Sequence, residues 1–362
     1  MVRFCVRYWS ALVPLLAAVV LAASWGRDLG PIVVTLVTLA LVGAVLSAVH
    51  HAETVAHRVG EPFGSLILAV AVTIIEVGLI VTLMLSSGEK AASLARDTVF
   101  AAVMITCNGI FGLSLLVGAL RRRVAVFNAE GTGAALATVA TLATLTLVLP
   151  TFTTSEPGPV FTASQLIFAA VASLVLYGVF VMVQTVRHTD DFLPVESSFA
   201  DAEGGHGEPP TKRQTWLSLG LLLVALIGVV GLAKVVSPSI ESGIAAAGLP
   251  PSAVGVVIAL LVLLPETIAA VRAARRDQVQ ISLNLALGSA MASIGLTIPA
   301  IAVASIWIEG PLMLGLGATQ MVLLALTVVV GVLTVVPGRA TLLQGCVHLV
   351  LFAGFVFLAV SP

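Results

Sequence analysis

The sequence predicts an all-α integral membrane protein of about eleven transmembrane helices: one extra N-terminal helix, then two inverted five-helix repeats. Three observations predict it. The 362 residues are 59% hydrophobic and only 10% charged, with a mean hydropathy of +1.13, a composition outside the range of soluble domains. Eleven apolar runs reach spanning length, roughly 20 residues. Two of those runs carry a glutamate well away from a helix end, and they lie five helices apart. An odd separation means that the two helices cross the bilayer in opposite directions.

The runs lie near 9–25, 31–49, 64–86, 98–119, 131–150, 162–186, 215–236, 252–271, 279–304, 311–335 and 340–360. They are far too long for barrel strands, so the backbone must satisfy itself as helices. Residues 1–25 begin like a signal peptide, with Arg3 and Arg7 before an apolar run. They are read as a first helix because the distribution of basic residues needs one there. With the N-terminus in the cytoplasm, Arg3, Arg7, Arg58, Arg121, Arg122, Arg123, Arg187, Lys212, Arg213, Arg272, Arg275, Arg276 and Arg339 fall inside, and only Arg27, Lys90, Arg96 and Lys234 fall outside. That asymmetry obeys the positive-inside rule and would degrade if a helix were added or dropped. The expected domains are an extra helix over 1–30, a first repeat over 31–186, an acidic cytoplasmic linker over 187–214 and a second repeat over 215–362.

The two glutamates are Glu76, in "GSLILAVAVTIIEVGLIVTLMLS", and Glu266, in "GVVIALLVLLPETIAAV". A carboxylate at membrane depth costs about 2.5–3.5 kcal/mol even on a lenient insertion scale, so its default reading is functional. The plainer reading is a pair of protonated structural acids, which two repeat-related positions make hard to sustain. Pro265 lacks an N–H, so the Leu261 carbonyl loses its helical partner beside Glu266. Thr73 lies one turn before Glu76 on the same face. In the helices that follow, Asn108 shares a face with Gly112, Asn284 with Gly288, Met291 and Gly295, and Ser289 lies on a stripe with Ser282 and Ser293. Oxygens of this kind suit a hard cation. Asn108, Asn284 and Ser289 read equally well as packing between helices.

Several features have plainer readings. The acid-rich stretch "DDFLPVESSFADAEGGHGE" is a solvated linker before it is a Ca2+ sensor, because it lacks an EF-hand loop. His50, His51 and His57 read as surface-loop residues at the cytoplasmic mouth, and Glu61 as a helix N-terminal acid. Cys5, Cys107 and Cys346 have no ligand spacing. A net charge of −1 gives no sign of a nucleic-acid partner. No H-E-x-x-H or G-x-S-x-G is present, so an enzyme is not expected.

The segments "HRVGEPFGSLILAVAVTIIEVGLI", "RDTVFAAVMI", "LLPET" and "SLNLALGSAMASIGLTIP" resemble the calcium/cation antiporter superfamily, most closely its bacterial calcium/proton branch, some members of which handle sodium or potassium. The resemblance covers nearly the whole chain. It implies that Glu76 and Glu266 bind the cation and the competing protons, helped from the following helices at Asn108 and Ser289. Val72-Thr73 and Val262-Leu263 stand where the wider family often has glycine–asparagine or glycine–threonine. The function expected is exchange of Ca2+ for protons by alternating access, with Na+ or K+ exchange as the alternative and a passive channel further behind. No cofactor is implied, since the ions are cargo. The expected location is the bacterial inner membrane. The charge logic fits: an empty pair of carboxylates carries about −2 and crosses poorly, whereas one divalent ion or two protons neutralise it.

Overall fold

The computed structural model describes residues 2–27, 29–60, 63–87, 92–195, 210–250, 252–307 and 310–361. Each of the eleven apolar runs falls on a helical element. In order these are α1 Val2–Ser24, α2 Pro31–Val59, α3 Phe63–Ser87, α4 Leu94–Met104 and α5 Phe111–Arg122, with a π-helical turn Ile105–Ile110 joining the last two. Next come the short strand β1 Val124–Val126, α6 Ala129–Ala143, α7 Ala163–Met182, α8 Lys212–Ala246, α9 Ser252–Val262 and α10 Leu264–Arg275. The chain ends with α11 Val279–Gly295, α12 Thr297–Ala304, α13 Ala318–Val335, strand β2 Arg339–Thr341 and α14 Leu342–Val360. Among the described residues, eight continuous helices are long and apolar enough to cross a membrane. The bent pair α9–α10 makes a ninth, and Trp9–Ser24 and Ala69–Leu85 are shorter apolar helices. Side chains such as Leu16, Ile167, Phe168, Leu333 and Phe357 stand exposed on outer faces, as a lipid-solvated protein requires.

Contacts divide the chain into two compact units: Met1–Ala91 with His206–Val254, and Ala92–Gly205 with Gly255–Pro362. Each unit therefore draws chain from both sequence halves.

In the first unit, α1, α2, α3 and α8 pack together. Pro14 inside α1 leaves the Ser10 carbonyl without its helical donor. Helix α2 supplies replacements: Ser47 Oγ donates to that carbonyl at 2.8 Å and His51 Nε2 at 2.7 Å. A carbonyl only accepts, so His51 carries its hydrogen on Nε2. Both side chains are buried. Removing a donor from a buried carbonyl costs about 1–3 kcal/mol. The double variant Ser47→Ala/His51→Leu should therefore lower the melting temperature of the detergent-purified protein more than either single change, as a thermal melt would record. Further along the α1–α8 contact, a Cβ on Gly231 would meet the Leu21 side chain at 2.5 Å, so glycine is what lets the two helices close.

In the second unit, the connecting links pair in a crossed pattern. Strand β1, in the α5–α6 link, pairs antiparallel with β2, in the α13–α14 link, in the register Val124↔Thr341, Ala125↔Ala340 and Val126↔Arg339. Conversely, Val160 in the α6–α7 link bridges Met313 in the α12–α13 link. Side chains repeat the exchange. At the start of α4, Arg96 Nη1 donates to the Gly315 carbonyl at 3.2 Å, and Asp97 accepts from Gln320 at 3.3 Å. At the start of α11, Asp277 pairs with Arg122, and Gln280 Oε1 accepts from the Asn128 N–H at 2.6 Å.

The structure departs from the sequence reading in several places. Helix α2 runs ten residues beyond the apolar run 31–49, so His50, His51 and His57 are helical rather than on a loop, and His51 is buried. Helix α8 likewise extends to Ala246, which puts Lys234 within the helix, its Nζ 5.2 Å from the Trp25 ring centroid. Run 311–335 becomes helix only from Ala318, because the backbone before it is spent on cross-links: Gly315 N–H bonds the Pro159 carbonyl at 3.0 Å and Leu316 N–H the Leu147 carbonyl at 2.8 Å. The start of the linker is docked rather than solvated, with Phe192 buried against Phe180 at 5.7 Å between ring centroids. Glu61 and linker residues 196–209 lie outside the described residues.

Candidate functional site

Glu76 sits near the middle of α3 and is 2% exposed. Its surroundings on the helix follow the 3.6-residue period. Val72, Thr73, Ile75, Leu79, Ile80 and Leu83 are buried with it, whereas Val70, Ile74 and Leu85 are exposed. The carboxyl is therefore on the protein-facing side of α3, with the Thr73 hydroxyl one turn away on that side. Apart from Thr73 and Thr82 the buried side of α3 is apolar, so nothing about α3 itself demands an acid there.

Glu266 is placed by a break. Run 252–271 divides at Leu263, and α9 and α10 meet at 52°. Pro265 explains the position, because it cannot donate to the Leu261 carbonyl. Thr267 consolidates the turn, its N–H and its hydroxyl both donating to the Leu263 carbonyl, at 2.9 and 2.7 Å. Glu266 then falls in the first turn of α10, where the helix start favours negative charge. It is half-buried. Helix α10 is held by a short polar chain: Ser282 donates to the Ala270 carbonyl at 2.7 Å and lies 2.5 Å from Ser114, tying α10, α11 and α5 together.

The supporting residues divide. Asn108 is fully buried in the π-helical turn, where its amide nitrogen donates to Thr327 at 2.8 Å and its oxygen lies 3.1 Å from His348 Nδ1. Asn284 donates to the Phe192 carbonyl at 2.7 Å and accepts from Gln280 at 2.8 Å, so it fastens the start of the linker. Ser289 is half-buried on α11, five residues beyond Asn284. Among the described residues, no three His, Cys, Asp or Glu side chains gather as a metal cluster.

Sequence reasoning passed over Thr327 and His348, whose polar atoms meet Asn108 from more than two hundred residues away, and Thr334, which meets His348. It also passed over Asp97, a buried acid held by Ser93 at 2.9 Å and by Arg96 at 2.8 Å. Asp97 lies in the segment "RDTVFAAVMI", within which the sequence reading gave it no individual role.

The sodium/calcium exchanger protein family matches residues 29–186 and 217–361. This chain belongs to that family. The exchanger is 46% identical to y4hA of Sinorhizobium fredii, named as an ionic transporter, across 98% of this chain and 96% of that protein. It is 35% identical to the sodium-potassium/proton antiporter ChaA of Escherichia coli, across 96% of this chain and 94% of that protein. Its fold is similar to that of native YfkE, with a TM-score of 0.70 at 16% identity over 97% of this chain and 98% of that one. The H+/Ca2+ exchanger CAX gives a TM-score of 0.71 at 18% identity over 96% of this chain and 86% of that one. The exchanger is thus a multi-pass membrane transporter and not an enzyme, and ions are its cargo rather than its cofactors.

Proposed function

We propose that this exchanger is a proton-coupled cation antiporter in which Glu76 and Glu266 hold the cation and the protons in turn. The observation that carries the reading is that each of the two stretches matched to the family has a glutamate inside an apolar helical run, Glu76 buried on α3 and Glu266 at the break between α9 and α10. The matched stretches fall within two residues of the sequence halves 31–186 and 215–362. The crossed link pairings inside the second unit support reading those halves as inverted repeats. In inverted-repeat transporters the site forms from broken helices near the bilayer midplane. The N-terminus and the 187–214 linker are assigned to the cytoplasm of a bacterial inner membrane from the basic-residue asymmetry.

Ca2+ is the cargo we assign, on charge. Two carboxylates are neutralised equally by one divalent ion or by two protons, so both loaded forms reorient while the empty pair does not. That restriction couples the fluxes without ATP. A second reading, Na+ or K+ exchange for protons, is favoured by the similarity to ChaA. A pH jump across proteoliposomes, with Ca2+, Na+ and K+ compared side by side, tests both. The assignment fails if Ca2+ moves no protons while Na+ or K+ does, and antiport itself fails if no cation moves protons.

Pro265→Ala provides a separate check on geometry. Alanine restores a donor for the Leu261 carbonyl and removes the reason for the 52° bend. The expected result is a correctly folded protein whose half-saturating cation concentration rises about tenfold, on the order of one lost ligand interaction.

A further inference from the structure

The π-helical turn between α4 and α5 is met by a residue from the far end of the chain. An α-helix would send the Phe111 N–H to the Cys107 carbonyl. Here that N–H goes to the Thr106 and Asn108 carbonyls instead, and His348 on α14 sets its ring 5.0 Å from that of Phe111. His348 Nδ1 also lies 3.1 Å from Asn108 Oδ1. The hydrogens can be assigned from the chemistry. Thr327 gives its hydroxyl hydrogen to the Leu323 carbonyl at 2.8 Å, so its oxygen accepts from Asn108 Nδ2 at 2.8 Å. The Asn108 amide is thereby oriented with Oδ1 toward His348. An oxygen there only accepts, so Nδ1 of His348 carries the hydrogen. In the neutral ring Nε2 then accepts, from Thr334 Oγ1 at 3.2 Å.

Asn108, Thr327, Thr334 and His348 are each at most 2% exposed. A buried polar set with its partners in place specifies one arrangement, and π turns inside helices concentrate at functional places. Helices α13 and α14 pack on this turn, as do α11 and α10, the helix that carries Glu266.

We propose that His348 is a positioning residue for transport: by holding the Asn108 side chain within the turn it fixes the surface against which α10 presents Glu266. The proposal rests on the reading that Glu76 and Glu266 carry the cation. It gives Asn108 a role through the turn, with both ends of its amide already engaged.

The test uses the full chain in proteoliposomes. His348→Phe keeps an aromatic ring against Phe111, now 5.0 Å away, and removes every N–H. His348→Asn places an amide nitrogen where Nδ1 was, and His348→Gln places one where Nε2 was. The expected result is a half-saturating cation concentration raised about tenfold in the Phe and Gln variants, and restored to within about threefold of wild type by Asn. A merely structural role would lower the melting temperature of all three without separating Asn from Gln in affinity. If the Phe variant is not recovered folded, the Asn and Gln pair decides. Equal affinities for those two would overturn the proposal. Glu76→Gln and Glu266→Gln run in parallel separate the two failures. If they still exchange, the site reading is wrong; if they are inactive while Asn and Gln match, only the role of His348 is wrong.

Discussion

Glu266→Gln should abolish exchange, and Glu76→Gln should do the same; this is the largest functional effect expected of any single substitution in the protein. Glutamine keeps the size and much of the hydrogen bonding of glutamate, so the substitution removes charge and little else. At an effective dielectric of 20, one unit charge about 4 Å from another contributes roughly 4 kcal/mol, and a divalent ion gains more. Losing it weakens binding about a thousandfold. The variant also loses one of the two protonation sites, so it has neither cargo in the right ratio. Both variants should reach the membrane in normal yield, because an amide is less costly there than a carboxylate. Tracer uptake driven by a pH gradient reads the outcome. Retained full exchange by either variant would remove that residue from the site.

Gly345→Val should prevent proper assembly of the second unit. A Cβ on Gly345 would lie 2.8 Å from the Leu116 nitrogen and 3.1 Å from the Gly112 carbonyl oxygen. Both obstacles are backbone, so no side-chain rotation relieves them. The reverse contact is equally tight: a Cβ on Gly112 would meet the His348 Cβ at 2.8 Å and the Gly345 carbonyl at 3.1 Å. Helices α5 and α14 thus touch through two facing glycines, the close approach that small residues permit in membranes. Forcing them apart costs about 1–3 kcal/mol for overpacking alone. It also pulls His348 away from the π turn. Gly354 lies on the same helix with open space where its Cβ would be, so Gly354→Val is the matched control. Size-exclusion profiles of detergent extracts should show loss of the monodisperse peak for the first variant and its retention for the second.

Much of this architecture could be read directly from the chain. Length alone announces a helix, and every apolar run fell on a helical element, though among the described residues only eight of those helices, or nine with the bent pair, reach crossing length. The break before Glu266 was readable too, because Pro265 removes a donor four residues from Leu261. The same rule, applied to Pro299, points at the Gly295 carbonyl, and α11 does stop at Gly295. Helix ends were harder. Past Val49 and past Val236 the apolar pattern fades while the helix continues; in α2 packing extends it, with His51, Ala52 and Val55 buried, whereas in α8 nothing between Ser237 and Ala246 is buried. The π turn gave no local signal at all. Its polar partners Thr327 and His348 are 219 and 240 residues from Asn108, so nothing near Asn108 in sequence could announce them. Asn108 and Asn284 looked alike as polar residues on small-residue helices, yet one locks a turn and the other fastens the linker at Phe192.

The central claim is that cation and protons exclude each other at Glu76 and Glu266. Proton release on adding cation to the purified, lightly buffered protein measures this directly, with no membrane potential or leak to confuse it. Wild-type protein should release about two protons for each Ca2+ bound at a pH where both carboxyls are protonated, or about one for each Na+ or K+. As pH falls, half-saturation should need more cation. Glu76→Gln and Glu266→Gln should bind weakly and release none in the same range. Tight cation binding by the wild type without any proton release would contradict the account.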